Sequence, residues 1–133
     1  MEDCIFCKII NRQIPAYILD ENEDVVTFLS LENHPLVVPK RHIPNIYSLD
    51  DRSASAVMVE AVKIAKAVKE GVRCDGVNLV QANEPAANQD VFHFHLHIKP
   101  RWYNDTVILH WNTTKVSPEK LQESMELIKR ALR

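Results

Sequence analysis

Apolar positions recur along this chain with two different periods, and the changes of period mark its elements. Cys4 to Asn11 is a short apolar segment, enough for one or two helical turns. Tyr17–Asp20 and Val25–Leu29 read as strands flanking the polar turn Glu21-Asn22-Glu23-Asp24, a hairpin signal. Leu36-Val37-Val38 is a short buried strand, closed by Pro39 and the basic pair Lys40-Arg41. After Asp50 and Asp51, either of which can cap a helix, Val57, Ala61, Ile64, Val68 and Val72 recur every three or four residues. Gly71 is a candidate C-terminal cap for that helix. Val77–Ala82 is a further strand, Asn83–Asp90 a polar loop, and Phe92–Ile98 a strand by strict alternation, ended by Pro100. Ser117-Pro118-Glu119 opens a last helix with the stripe Leu121, Met125, Ile128 and Leu132. The pattern predicts an α+β fold with a mostly antiparallel sheet, one long helix and a C-terminal helix.

Composition narrows this picture. A chain of 133 residues, 46% of them hydrophobic, has material for one core, so residues 1–133 are expected to form a single domain. Sixteen Lys and Arg against eighteen Asp and Glu leave a charge of −2, which argues against nucleic acid as a partner. No run approaches the roughly 18 apolar residues that span a bilayer. The start Met1-Glu2-Asp3 is acidic where a signal peptide would be basic, so a soluble, cytoplasmic protein without a membrane partner is expected. Gly71 and Gly76 are the two glycines, too few for a Gly-rich phosphate loop. Three cysteines, in a setting that keeps thiols reduced, argue against a disulfide framework.

The chemistry gathers in the histidines: His34, His42, His93, His95, His97 and His110. On a strand, His93, His95 and His97 share one face and Phe94, Leu96 and Ile98 the other. The apolar face is expected in the core, with the imidazoles spaced about 6–7 Å per step on the opposite side. One metal cannot easily hold all three, so the row divides its roles. A His-rich surface strand, a His-x-His zinc site and a row for acid–base or nucleophilic work are the competing readings. Imidazole suits the last because it titrates near neutrality.

The segment His93–Arg101, with three histidines alternating with hydrophobic residues, resembles the histidine triad family of nucleotide hydrolases and transferases. The resemblance extends to His34-Pro35-Leu36-Val37-Val38-Pro39-Lys40-Arg41-His42, to Asn83-Glu84 and Gln89, and to the opening Cys4-Ile5-Phe6-Cys7-Lys8-Ile9-Ile10 of its bacterial and archaeal Hit-like members. It covers about residues 4–102, leaving a tail with a helix over 103–133. The resemblance implies that His95 is the nucleophile on an α-phosphate, forming a nucleotidyl-imidazole that water then opens. It implies that His97 contacts the phosphate and handles leaving-group protons, and that His34 orients the row. It assigns Asn83 and Gln89 to polar contacts with phosphate, ribose or leaving group. Phe28 and Leu31 fall at the purine pocket, and Ser30, Asp90 and Val91 complete the substrate-binding set. A purine nucleotide substrate, adenosine phosphoramidates foremost, and a homodimer follow from the same likeness.

Cys4-x-x-Cys7 has the spacing of half a structural zinc site, or of a redox pair. The Hit-like resemblance supplies His42 and His93 as the remaining ligands, leaving His95 and His97 for catalysis. Cys74 is expected to be structural and His110 a surface residue. Two departures from the family pattern stand out. Asn88-Gln89-Asp90 replaces the usual Gly-Gln-Ser or Gly-Gln-Thr, and Ser30-Leu31 replaces an Asp-Ile pair whose acid binds ribose. Asn tolerates the positive φ that glycine would supply. A carboxylate at position 90 can only accept hydrogen bonds and repels phosphate. Rival functions are a dinucleoside-polyphosphate hydrolase, a zinc-stabilised nucleotide-binding or interaction module with little catalysis, and a hydrolase with catalytic zinc on His93, His95 and His42. His97 disfavours the phosphorylase branch, which carries glutamine there.

Overall fold

The computed structural model describes residues 3–133; the first two residues of the acidic start lie outside it. In chain order the elements are α1 (Ile5–Ile10), β1 (Ile18–Glu21), β2 (Val25–Leu29), β3 (Pro35–Pro39), α2 (Asp51–Gly71), β4 (Gly76–Val80), β5 (Leu96–Arg101) and α3 (Pro118–Ala131). Short 3-10 turns occupy Ile46–Ser48 and Pro85–Ala87. The five strands form one antiparallel sheet in the order β1-β2-β3-β5-β4, which bears out the α+β expectation. Among the described residues no helix is long and apolar enough to cross a membrane.

Both faces of the central strands are covered. On one face α2 lays Val57, Ala61 and Ile64 against Val25, Val37, Phe94, Leu96 and Ile98. On the other, α1 lays Phe6 and Ile9 against Val26, Phe28, Leu36 and Val38. Burial on both sides explains why β2 and β3 read as continuous apolar runs. The register pairs Phe28 with Leu36, Leu36 with His97, and His97 with Val80. Directly opposed residues share a face. His97 therefore stands on the α1 side, and Phe94, Leu96 and Ile98 sink under α2.

Several boundaries differ from the sequence expectation. The ladder of β5 begins at Leu96 and runs through Pro100 to Arg101, whereas alternation suggested Phe92–Ile98. Upstream, the Phe94 N–H donates to the Ile43 carbonyl at 2.6 Å instead of to a neighbouring strand. Pro100 is tolerated because β3 pairs only with Leu96 and His97, so β5 beyond Ile98 is laddered to β4 alone. The fourth strand is Gly76–Val80 rather than Val77–Ala82. Helix α2 is capped by Asp50, whose carboxylate accepts from the Ser53 N–H at 2.9 Å. Gly71 is its last helical residue, and the left-handed position after the helix falls on Arg73, with φ 54°. Val72, expected in the apolar stripe, is exposed because the helix has ended. Helix α3 has its predicted N-cap at Ser117 but buries no residue, so its apolar stripe faces outward.

Candidate active site and metal centre

The histidine-bearing segment enters the sheet between β3 and β4, next to α1, and splits its three imidazoles between two centres. His93 is fully buried and turns toward α1. Its Nε2 lies 2.8 Å from the Pro39 carbonyl oxygen. A carbonyl only accepts, so Nε2 carries the hydrogen and Nδ1 is left with its lone pair. That Nδ1 lies 3.5 Å from the Cys4 sulfur and 3.6 Å from the Cys7 sulfur. Nδ1 of His42 lies 3.3 Å from the Cys7 sulfur. Zinc bound at about 2.3 Å to sulfur and about 2.0–2.1 Å to nitrogen gives a tetrahedral S···N edge of about 3.6 Å. Those three S···N separations are close to that edge, and all four donor atoms lie within 4.8 Å of one another. Cys4, Cys7, His42 and His93 can hold a metal, and the hydrogen bond to Pro39 orients one ligand for it. Burial raises the Cys7 thiol above its ordinary pKa, with Cys4 adding to the shift, so a metal arriving here must displace protons. Burial likewise lowers the pKa of His42, and holds His93 down to about 4.

His95 and His97 form the second centre. His95 is buried, and its Nδ1–H donates to the His93 carbonyl oxygen at 2.7 Å. Nε2 is thereby left without a backbone partner. That nitrogen lies 3.5 Å from Oδ1 of Asp90 and its ring borders a cavity. Phe6 packs edge-on against the same ring, with centroids 5.0 Å apart, and against Phe28 at 5.4 Å. The His97 ring lies 4.9 Å from His95. Behind it, His97 Nδ1 and His34 Nε2 are 2.9 Å apart, and Ser30 Oγ is 3.3 Å from His34 Nδ1. This chain of Ser30, His34 and His97 runs inward from the cavity rim. Burial lowers the pKa of His34, with Lys99 adding to the shift, and holds His97 to about 4 with help from His95 and His34. Both are neutral at pH 7 and able to pass a proton by exchanging tautomers.

The cavity, about 370 Å³, lies within the range of small-molecule sites. Phe28, Ser30, Leu31, Asp90, Val91, His95 and His97 all line it, as do Ile5, Phe6 and Ile9 of α1. Leu31 stands at the mouth, 99% exposed. His34 is buried behind the wall. Asn83 and Gln89 do not line the cavity. Asn83 Oδ1 accepts from the Ile46 N–H at 2.8 Å, and its amide donates to Gln81. Gln89 is buried, with its amide spent on the Pro44 and Val91 carbonyls and the Glu84 N–H. It braces the loop in front of the histidines. That loop is strained: Glu84 has φ 73° and ψ 157°, a region L-residues rarely adopt, and Asn88 takes the left-handed position at φ 68°. Asn at 88 is what the replacement of glycine requires. The bracing by Gln89, the support of His95 by Phe6 and the carbonyl that fixes its tautomer are not encoded in any spacing. Phe6 alone had a sequence signal, its place between the two cysteines. Cys74 is buried and His110 exposed, both apart from the site.

Comparison with known proteins agrees with this geometry. The HIT domain family model matches residues 11–103. Protein hit of Bacillus subtilis is 38% identical over 138 residues, covering 98% of this chain and 95% of that protein. Adenosine 5'-monophosphoramidase of Saccharomyces cerevisiae is 32% identical over 89% of this chain and 75% of its own length. The crystal structure of SMU.412c from Streptococcus mutans superposes with a TM-score of 0.95 at 33% identity, over 100% of this chain and 87% of that one. A zinc-bound histidine triad protein from Mycobacterium smegmatis superposes at 0.76 with 27% identity, over 98% of this chain and 99% of that one. The match over most of the chain, the full-length relatives and the shared fold give one conclusion: this chain belongs to the histidine triad (HIT) family, in its Hit-like branch.

Proposed function

We propose that this protein is a nucleotide hydrolase that cleaves the bond between the α-phosphate of a purine nucleoside monophosphate and a nitrogen leaving group, with adenosine phosphoramidates as the substrate class. The observation that carries this reading is the fixed tautomer of His95. Its Nδ1–H is committed to a carbonyl oxygen, so Nε2 is the nitrogen left to act as nucleophile, and the ring borders a nucleotide-sized cavity. Nε2 attacks phosphorus, the P–N bond breaks, and the electron pair leaves with the departing nitrogen, which takes up a proton. Water then attacks the same phosphorus, the bond to His95 breaks, and AMP is released. His97, neutral and linked through His34 to Ser30, relays the proton to the leaving group and receives one from water. Phe28, Leu31 and the α1 side chains accept the base, with Ser30 and Val91 at the ribose and phosphate. Asn83 and Gln89 support the site through the loop rather than by touching substrate.

Membership of the family and the activity of the yeast relative support this reading over a binding module. In the same proposal Cys4, Cys7, His42 and His93 hold zinc, which pins α1 and with it one cavity wall. The zinc-bound Mycobacterium relative and the convergence of four donor atoms, two thiols and two imidazoles, favour this over a redox role for the two cysteines, and over zinc on His95. The open edge of β4 is where a second copy would extend the sheet, giving a cytoplasmic homodimer. The test is AMP release from an adenosine phosphoramidate by wild type beside His95→Ala. Turnover in wild type, with loss by several powers of ten in the variant, is expected. Equal rates in the two proteins would overturn the assignment of His95.

A further inference from the structure

Asp90 is the one ionisable residue at the nucleophile that departs from the family's usual hydroxyl. Its Oδ1 lies 3.5 Å from Nε2 of His95 and accepts from the Val91 N–H at 2.9 Å. The carboxylate is thus held by the backbone, with the side chain 80% exposed. It lines two cavities at once: the histidine cavity, and a second one of about 400 Å³ lined by Asp3, Cys4, Ile5, His42, Val91 and Phe92. The nucleoside is assigned to the first, against Phe28. With the nucleoside there, the second cavity, across Asp90, is the space beside the site left for a leaving group. Among the described residues lining either cavity there is no Lys or Arg. The carboxylates there are Glu32 in the first, Asp3 in the second and Asp90 between them. Lys99 acts on His34 and His97 but lines neither cavity.

We propose that Asp90 is a specificity residue that selects the charge of the leaving group, favouring amines with a second, cationic centre and disfavouring phosphate or carboxylate leaving groups. The inference rests on the hydrolase reading above and deepens it. A fixed carboxylate beside the departure route attracts an ammonium and repels an anion, and among the described residues that line the two cavities no Lys or Arg side chain offsets it. For an exposed pair the effect is up to about fivefold per unit of charge. Cationic and anionic leaving groups then differ by up to about 25-fold in kcat/KM. Dinucleoside polyphosphates fall on the disfavoured side.

The experiment uses full-length protein and three AMP conjugates joined through nitrogen to putrescine, butylamine and γ-aminobutyrate. Their leaving groups have similar length and carry a distal ammonium, no charge and a carboxylate. Wild type is expected to rank kcat/KM as cation above neutral above anion, with the spread shrinking in high salt. Asp90→Asn and Asp90→Ser are both expected to flatten the ranking, read as ratios between substrates within each variant; Asp90→Glu is expected to keep it. A flat ranking in wild type, or one that survives in both neutral variants, overturns the role of Asp90 while leaving the hydrolase intact. No turnover of any conjugate by wild type overturns the hydrolase reading itself.

Discussion

Removing the zinc proposed for Cys4, Cys7, His42 and His93 should release α1 while leaving the rest of the fold in place, and the structure gives the size of the effect. Helix α1 has six residues, and ordering their backbone costs about 1–2 kcal/mol each. Phe6 and Ile9 are its large buried apolar side chains, worth about 1.5–3 kcal/mol apiece. Its backbone hydrogen bonds, such as Lys8 N–H to Cys4 O at 3.0 Å and Asn11 N–H to Cys7 O at 2.9 Å, add about 1 kcal/mol each. These terms nearly cancel, so an ion shared by Cys4, Cys7, His42 and His93 would decide whether α1 stays docked. The core under α2 includes none of these groups. The assay is amide hydrogen exchange on zinc-loaded and chelated protein. Protection of the α1 amides is expected to collapse on chelation, while amides of α2, β2 and β3 stay protected. Since Ile5, Phe6 and Ile9 line the cavity, KM is expected to rise more than kcat falls. Undiminished α1 protection after chelation would refute the reasoning and show that packing alone holds the helix.

Other consequences can be checked together. His34→Ala removes the 2.9 Å partner of His97 and leaves that half-buried nitrogen unpaired. It is expected to destabilise the protein by about 2 kcal/mol in urea unfolding and to lower kcat more than it changes KM. Phe94→Ala empties a site under α2 and should cost about 3–5 kcal/mol without altering the ratio of rates between substrates. His97 has its pKa lowered by burial to about 4 from an ordinary value near 6.5, so below pH 6.5 the unfolded chain binds the extra proton. Stability in metal-loaded protein is therefore expected to fall as pH drops from about 6.5 to about 4, and His97→Asn should flatten that part of the profile.

The sequence carried the core faces well because they rest on strong periodicities. Val57, Ala61 and Ile64 are spaced as a helix requires, and Phe94, Leu96 and Ile98 alternate as a strand requires; all six are buried together under α2. Asn88 was legible because few residues other than glycine take a left-handed φ readily. The limits of β5 were not, since alternation of side chains does not reveal where the ladder partners end. The CxxC motif pointed to a metal, while His42 and His93 came from likeness to a family; the fold then places all four donors within reach. Asn83 and Gln89 show the converse. A polar residue near a site reads as a ligand, but their amides are occupied by backbone groups that only the folded loop brings close. The backbone carbonyl of His93, which fixes the tautomer of His95, has no side-chain signature at all.

The central claim is that Nε2 of His95 bonds to phosphorus during turnover, and the stereochemical course at the α-phosphorus tests it most directly. An adenosine phosphoramidate made chiral at phosphorus with sulfur is hydrolysed in isotopically labelled water, and the configuration of the product is read by NMR. Two displacements, first by His95 and then by water, predict net retention. Net inversion would mean that water attacks the substrate directly, and would contradict a covalent role for His95.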